Sequence, residues 1–158
     1  MNHNSKIFLA GHQGMVGKAI LKKLVESGYG NILMKTKTEL DLINQSKVME
    51  FFLEYKPEVV IIAAAKVGGI LANDRLPVPF LLDNLRIQNS VINAAFEQDI
   101  EKLLFLGSSC IYPLHAAQPM SEDCLLTGPL EPTNQWYAVA KIAGVKLCQA
   151  FRKQHGAN

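Results

Sequence analysis

The segment that decides the fold is Gly11-His12-Gln13-Gly14-Met15-Val16-Gly17. It joins the largely apolar residues 6–10 to residues 15–27, whose apolar side chains recur at helical spacing. A glycine turn between a buried strand and a helix brings backbone amides and the positive end of the helix dipole close to a phosphate. The glycines are spaced one residue differently from the commoner Gly-x-Gly-x-x-Gly pattern, but the physical demand is similar. The segment predicts a dinucleotide-binding turn, with a purely structural tight turn as the alternative.

Short apolar runs alternate with longer amphipathic ones along the rest of the chain. This alternation is typical of a parallel sheet with crossover helices. The predicted strands are residues 6–10, 31–35, 58–62 and 102–106, and the predicted helices are residues 15–27, 45–55, 80–98 and 136–152. We therefore expect an α/β fold with a doubly wound, Rossmann-like parallel sheet. Residues 1–158 would form one cofactor-binding domain of about four strands, an incomplete one without a C-terminal substrate domain.

Composition excludes several classes of protein. Sixteen Lys and Arg against fourteen Asp and Glu give a net charge of only +2, which does not predict a nucleic-acid surface. No apolar run approaches the roughly 20 residues that cross a bilayer. Three scattered cysteines predict no disulfide framework, and no His/Cys cluster has metal-ligand spacing. We expect a cytoplasmic protein without a metal.

The end of the second predicted strand bears on the choice of cofactor. NAD sites commonly carry an acid about 20 residues after the glycine turn, where it holds the ribose hydroxyls. Here Met34-Lys35-Thr36-Lys37 has no acid before Glu39. Lys35 and Lys37 would attract a 2′-phosphate, so the segment favours NADP(H) over NAD. The alternative is an ordinary solvated strand end.

Tyr137 and Lys141 are one helical turn apart and therefore share a helix face. Alone, such a pair could be an exposed surface pair. Ser108 follows the fourth predicted strand, and ligands of open parallel sheets bind at the carboxyl ends of strands. There a serine hydroxyl could bind a substrate carbonyl while Tyr137 donates a proton and Lys141 raises the acidity of the phenol.

Cys110 lies two residues beyond Ser108. It could be a thiolate base, although a free cysteine is commonly buried and inert. His12 and His115 are expected to be structural or to face solvent.

These motifs together resemble the extended short-chain dehydrogenase/reductase family over essentially the whole chain. The segments that carry the resemblance are residues 11–17, Ala63-Ala64-Ala65-Lys66-Val67-Gly68-Gly69-Ile70, Gly107-Ser108-Ser109-Cys110-Ile111-Tyr112-Pro113, Glu131-Pro132-Thr133-Asn134 and Tyr137-Ala138-Val139-Ala140-Lys141-Ile142-Ala143-Gly144. The serine-cysteine segment is the most specific, because general family members lack that cysteine.

The resemblance implies an NADPH-dependent enzyme that acts on a nucleotide sugar. The implied reaction epimerises GDP-4-keto-6-deoxy-D-mannose at C3 and C5 and reduces its C4 ketone, giving GDP-L-fucose. By resemblance, Ser108 would orient the carbonyl, Tyr137 would donate the proton, Lys141 would bind ribose and Cys110 would be an acid/base of epimerisation. Helices 80–98 and 136–152 would form a homodimer interface.

The implied cofactor contacts extend beyond the glycine turn. They are residues 11–17 with Lys35, Lys37, Asp41, Leu42, Ala63, Ala64, Ala65, Leu106, Gly107, Ser108, Tyr137 and Lys141. The family's second catalytic base is a histidine beyond residue 158, so we expect the chain alone to turn over little or no substrate. Two alternatives stay open: a non-catalytic association module, and another nucleotide-sugar epimerase or dehydratase of the same family.

Overall fold

A computed structural model describes residues 2–157 of the chain. Its strands are β1 (Ile7–Ala10), β2 (Ile32–Leu33), β3 (Val59–Ile62) and β4 (Lys102–Phe105). Its α-helices are α1 (Met15–Glu26), α2 (Gln45–Tyr55), α3 (Ile70–Arg75), α4 (Pro77–Glu97) and α5 (Gln135–His155), with short 3₁₀ turns at Ser109–Ile111 and Glu122–Cys124. The strands form one parallel sheet in the order β2-β1-β3-β4.

Helices cover both faces of the sheet. On one face, Phe8, Ala10, Val60 and Ile62 pack with apolar side chains of α2, α4 and α5. On the other face, the alternate residues of β1 and β3 pack against Ile20, Leu21 and Leu24 of α1. Strands buried on both faces are apolar throughout rather than alternating, which is why β1 and β3 were recognisable in the sequence. The predicted doubly wound α/β fold is confirmed.

Several predicted boundaries are wrong. Strand β2 pairs through two residues only, Ile32 with Ile7 and Leu33 with Phe8, instead of running over residues 31–35. Helix α4 starts at Pro77, not at residue 80, because a proline fits a first helical turn that has no use for its missing N–H. Residues 70–75 form the unpredicted helix α3. Helix α5 extends past residue 152 to His155, where Gly156 ends it at φ +71°.

The strand order places a crevice beside the glycine turn. From β1 the chain crosses to β2 on one side and later to β3 on the other. The carboxyl ends of β1 and β3 therefore lie at the switch point where parallel α/β sheets bind ligands. Within residues 2–157, no helix combines the length and apolar character that crossing a membrane requires.

Candidate functional site

A cleft of about 300 Å³ opens at this switch point. Its walls are the glycine turn after β1, the segment after β2 and the segment after β3, with two residues of α4. The lining residues are Phe8, Ala10, Gly11, His12, Gln13, Gly14, Lys35, Thr36, Lys37, Leu40, Asp41, Leu42, Ile43, Ala63, Ala64, Ala65, Lys66, Asp83 and Ile87. Eleven of the predicted cofactor contacts are among them. Met15, Val16 and Gly17 are not.

Close backbone packing shapes the glycine turn. Gly11 has φ +90°, and a Cβ there would lie 2.5 Å from the backbone nitrogen of Ala64. A Cβ on Gly17 would lie 2.0 Å from the Gly11 carbonyl oxygen, which in turn accepts the Gly14 N–H at 3.1 Å. The turn is thus seated against both β3 and α1, while Gly14, before the first turn of α1, stays exposed to the cleft. This arrangement fits a dinucleotide diphosphate, which needs close backbone approach and free helix amides.

His12 adds a second sign that the cleft fits a polar ligand. Its Nδ1 atom is buried and has no hydrogen-bond partner among the described residues. Buried polar atoms in proteins are nearly always satisfied, so an orphaned one in a cleft wall indicates a missing partner. The expectation of a merely structural or solvent-facing His12 does not account for this atom.

In the segment after β2, lysines line the cleft, and two carboxylates accept hydrogen bonds from residues of the same segment. Glu39 accepts hydrogen bonds from the N–H and the hydroxyl of Thr36, both at 2.7 Å, and these bonds lower the pKa of Glu39. Asp41 accepts the Ile43 N–H at 3.1 Å. Both acids thus accept hydrogen bonds within their own loop, and Asp41 lines the cleft together with Lys35 and Lys37.

The remaining predicted residues meet beyond the end of β4. The Cys110 thiol donates to the Ser108 hydroxyl oxygen, with Sγ and Oγ 3.2 Å apart. Ser108 also lies close enough to Tyr137 for its hydroxyl to lower the pKa of the phenol. The structure therefore brings Ser108, Cys110, Tyr137 and Lys141 together, although they come from a loop and a helix more than 25 residues apart.

Lys141 is buried, with 4% of its surface exposed. Its ammonium group donates to the Leu106 carbonyl at 2.8 Å and lies 4.5 Å from the centroid of the Phe105 ring. Burial lowers the pKa of Lys141 to about 8, against a smaller opposing effect of negative charge on Cys110. Phe105, which the sequence analysis did not single out, is thus part of the lysine's immediate surroundings.

Tyr137 holds its proton more strongly than a free tyrosine. Burial and, secondarily, negative charge on Cys110 raise its pKa, and the Ser108 hydroxyl partly opposes them. Lys141 is not among these causes, although its ammonium group lies 6.0 Å from the tyrosine ring centroid; that group donates to the Leu106 carbonyl. The expected acidification of Tyr137 by Lys141 is therefore not found in this structure.

Some residues of the cleft were not predicted from the sequence. Thr36, Lys66 and Asp83 line it, although no role had been predicted for them. Lys66 belongs to a motif quoted above, but its ion pair with Asp83 joins residues 17 positions apart, which no local pattern reveals. Among residues 2–157, no three His, Cys, Asp or Glu side chains are arranged to hold a metal.

A family profile described as "NAD dependent epimerase/dehydratase family" matches residues 7–158. The chain belongs to this family. It is 59% identical over 153 residues to GDP-L-fucose synthase 1 of Arabidopsis thaliana, covering 97% of this chain and 47% of that protein. The chain thus spans about half the length of the curated relatives it matches.

Solved structures agree with this assignment. A GDP-mannoheptose C4 reductase of Campylobacter jejuni with NADP bound superposes with a TM-score of 0.96 at 42% identity, covering all of this chain and 50% of that one. A GDP-L-fucose synthetase of Naegleria fowleri bound to NADP gives a TM-score of 0.87 at 26% identity, covering 98% of this chain and 50% of that one. The family resemblance inferred from the sequence is confirmed.

Proposed function

We propose that this chain is the cofactor-binding and proton-transfer part of an NADPH-dependent epimerase/reductase that converts GDP-4-keto-6-deoxy-D-mannose to GDP-L-fucose. The observation that carries the proposal is the meeting of Ser108, Cys110, Tyr137 and Lys141 beyond β4, on the same edge of the sheet as the cleft. The 59% identical plant relative supports the choice of substrate.

NADP(H) is the proposed cofactor. Residues 11–14 and 63–65 would hold the diphosphate and neighbouring ribose, and Lys35 and Lys37 would face the 2′-phosphate. Bound NADPH would supply the hydride that reduces the C4 ketone. The NADP-bound structures of two relatives support this choice over NAD.

The chain's own residues would move the protons. Ser108 would donate a hydrogen bond to the C4 carbonyl oxygen, and Tyr137 would transfer its proton to that oxygen as C4 is reduced. The raised pKa keeps Tyr137 protonated at neutral pH, and the positive charge of the oxidised nicotinamide, together with Lys141, would lower it toward the range that proton transfer needs. Cys110 would be one of the two acid/base groups of epimerisation and would exchange a proton on one face of the carbons beside the ketone, and Lys141 would position the cofactor ribose.

A homodimer through α4 and α5 forms part of the proposal. These two helices pack side by side, and Leu82, Trp136 and Val139 remain 39%, 38% and 43% exposed. Apolar side chains on neighbouring helices could pack against the same helices of a second copy. We also propose a cytoplasmic location, since Cys110, Cys124 and Cys148 are all free thiols.

A second candidate is the reduction of a different GDP-linked 4-keto sugar. The close superposition on a GDP-mannoheptose C4 reductase favours it. The non-catalytic association module is not favoured, because it leaves the polar cluster beyond β4 unexplained.

One experiment separates these functions. The chain is incubated with GDP-4-keto-6-deoxy-D-mannose in D₂O, alone and with the separately expressed C-terminal half of the plant relative, and with and without NADPH. The proposal predicts deuterium at C3 and C5, and NADPH-dependent formation of GDP-L-fucose in the complemented sample. Cys110→Ser should suppress the exchange. Reduction without exchange would favour the second candidate, and neither reaction in a folded, complemented sample would contradict both.

A further inference from the structure

The strongest unexplained feature of the cleft is an ion pair in its wall. The Lys66 ammonium group lies 2.9 Å from Oδ2 of Asp83, and the two side chains are 40% and 25% exposed. Partly exposed ion pairs contribute little to stability, because water screens the two charges and ordering the side chains costs entropy. Stability alone therefore does not explain a lysine and an aspartate facing each other in a ligand cleft.

The backbone of Lys66 is held from both sides by one buried side chain. Asn84, with 3% of its surface exposed, accepts the Lys66 N–H at 2.8 Å and donates to the Lys66 carbonyl at 3.0 Å. Its amide also donates to the Phe80 carbonyl at 2.7 Å, which fixes it to α4. Lys66 thus has a fixed main chain and a long side chain that can change partner.

Charges in the cleft lie on two sides of the glycine turn. Lys35 and Lys37 follow β2, and Lys66 follows β3, while the turn follows β1, the strand between them. An NADP(H) molecule carries two separate anionic groups, the 2′-phosphate and the diphosphate. If the 2′-phosphate lies beside the lysines after β2, the diphosphate lies at the glycine turn. Lys66 can approach the diphosphate there from the β3 side.

We propose that Lys66 is a ligand of the cofactor diphosphate and that Asp83 is its partner when no cofactor is bound. The inference rests on the proposed function. Binding would break the Lys66–Asp83 contact and form an ammonium–phosphate contact in its place. Asp83 therefore competes with the cofactor for Lys66 and lowers its apparent affinity.

Because Asp83 and the cofactor compete for Lys66, substitutions of Lys66 and of Asp83 should change the affinity for NADPH in opposite directions. Lys66→Met should weaken NADPH binding about tenfold, the range of a lost charge-assisted hydrogen bond. Asp83→Asn should tighten it about threefold, because Lys66 is then free before the cofactor arrives. The double variant Lys66→Met/Asp83→Asn should bind like Lys66→Met, since Asp83 acts only through Lys66.

Calorimetric titration with two probes tests the inference. NADPH carries the diphosphate, whereas adenosine 2′-monophosphate shares the 2′-phosphate and has no phosphate at the 5′ position. Lys66→Met should leave binding of the second probe within about twofold, because the lysine's partner is absent from that probe. Lys153→Met and Glu50→Gln, which change exposed charges that do not line the cleft, are the matched controls and should alter neither affinity. Thermal unfolding shows which variants are folded.

The outcomes are separable. Weaker NADPH binding by Lys66→Met together with tighter binding by Asp83→Asn supports the inference. Equal losses for both probes, an unchanged NADPH affinity in Lys66→Met, or weaker binding by folded Asp83→Asn overturns it while leaving the proposed function in place. A folded parent chain that binds neither probe overturns the proposed function and this inference with it.

Discussion

At the scale of single residues, Lys141 has the least ordinary environment in the described chain. Its ammonium group is buried between the Leu106 carbonyl and the Phe105 ring, and burial lowers its pKa to about 8. One hydrogen bond and one aromatic face do not replace full hydration of the charge. The buried ammonium group therefore destabilises the folded protein at a position where, under the proposed function, it would bind the cofactor ribose.

Because burial of the Lys141 charge is unfavourable, we expect the stability of the protein to depend on pH. Above pH 8 the folded Lys141 loses its proton, whereas the unfolded side chain keeps it up to the ordinary lysine pKa of 10.5. The unfolded state then binds more protons, so the free energy of unfolding rises with pH across this window. Relative to Lys141→Met, the parent should gain about 2 kcal/mol between pH 7 and 9.5, measured by urea denaturation.

Lys153→Met is the control for this measurement, because Lys153 is an exposed lysine of the same helix. Its stability should change with pH in parallel with that of the parent. If Lys141→Met and the parent also ran parallel from pH 7 to 9.5, the ammonium group would not be destabilised by burial.

At the scale of elements, the close packing of α1 against the glycine turn gives the cleft its shape. A Cβ on Gly17 would meet the Gly11 carbonyl oxygen at 2.0 Å, and both are backbone positions that cannot rotate away. Gly14 lies in the same turn, yet its Cβ would meet nothing closer than 3.5 Å. Two glycines of one motif thus have different structural roles.

We expect Gly17→Ala to lower the free energy of unfolding by about 2 kcal/mol or more, the cost of overpacking a rigid site. Gly14→Ala, the matched control, should stay within about 0.5 kcal/mol of the parent. Denaturant titration of both variants provides the comparison. Equal stabilities for the two variants would show that α1 does not rest on the turn as described.

The elements also show what sequence reasoning could and could not reach. Strands β1 and β3 were predictable because burial on both faces leaves uninterrupted apolar runs. The start of α4 was missed because prolines commonly interrupt helices, whereas Pro77 occupies the first turn, where its missing N–H has no partner to lose. Strand β2 was predicted too long because local propensity does not show where pairing with β1 ends.

The same distinction applies to the site. Residues of the glycine turn and the Tyr137/Lys141 spacing are local patterns and were recognised. The Lys66–Asp83 pair and the position of Phe105 beneath Lys141 depend on α4, α5 and the sheet coming together. Such contacts exist only in the folded chain, so the sequence contained no local signal for them.

At the scale of the whole molecule, the described residues form a four-stranded sheet with a cleft at its switch point and a polar cluster beyond its outer strand β4. The cleft carries lysines on both sides of a turn suited to a diphosphate. The cluster carries a proton-holding tyrosine. Under the proposed function, the cleft would bind the cofactor that supplies a hydride, and the cluster would supply a proton to the same carbonyl.

Titration of the purified chain with NADPH and, in parallel, with NADH is the most direct test of this account. Nicotinamide fluorescence and thermal shift would follow binding. The account predicts saturable binding of NADPH that is at least about tenfold tighter than binding of NADH, because Lys35 and Lys37 meet a 2′-phosphate that NADH lacks. A folded chain that binds neither, or that binds NADH as tightly as NADPH, would contradict it.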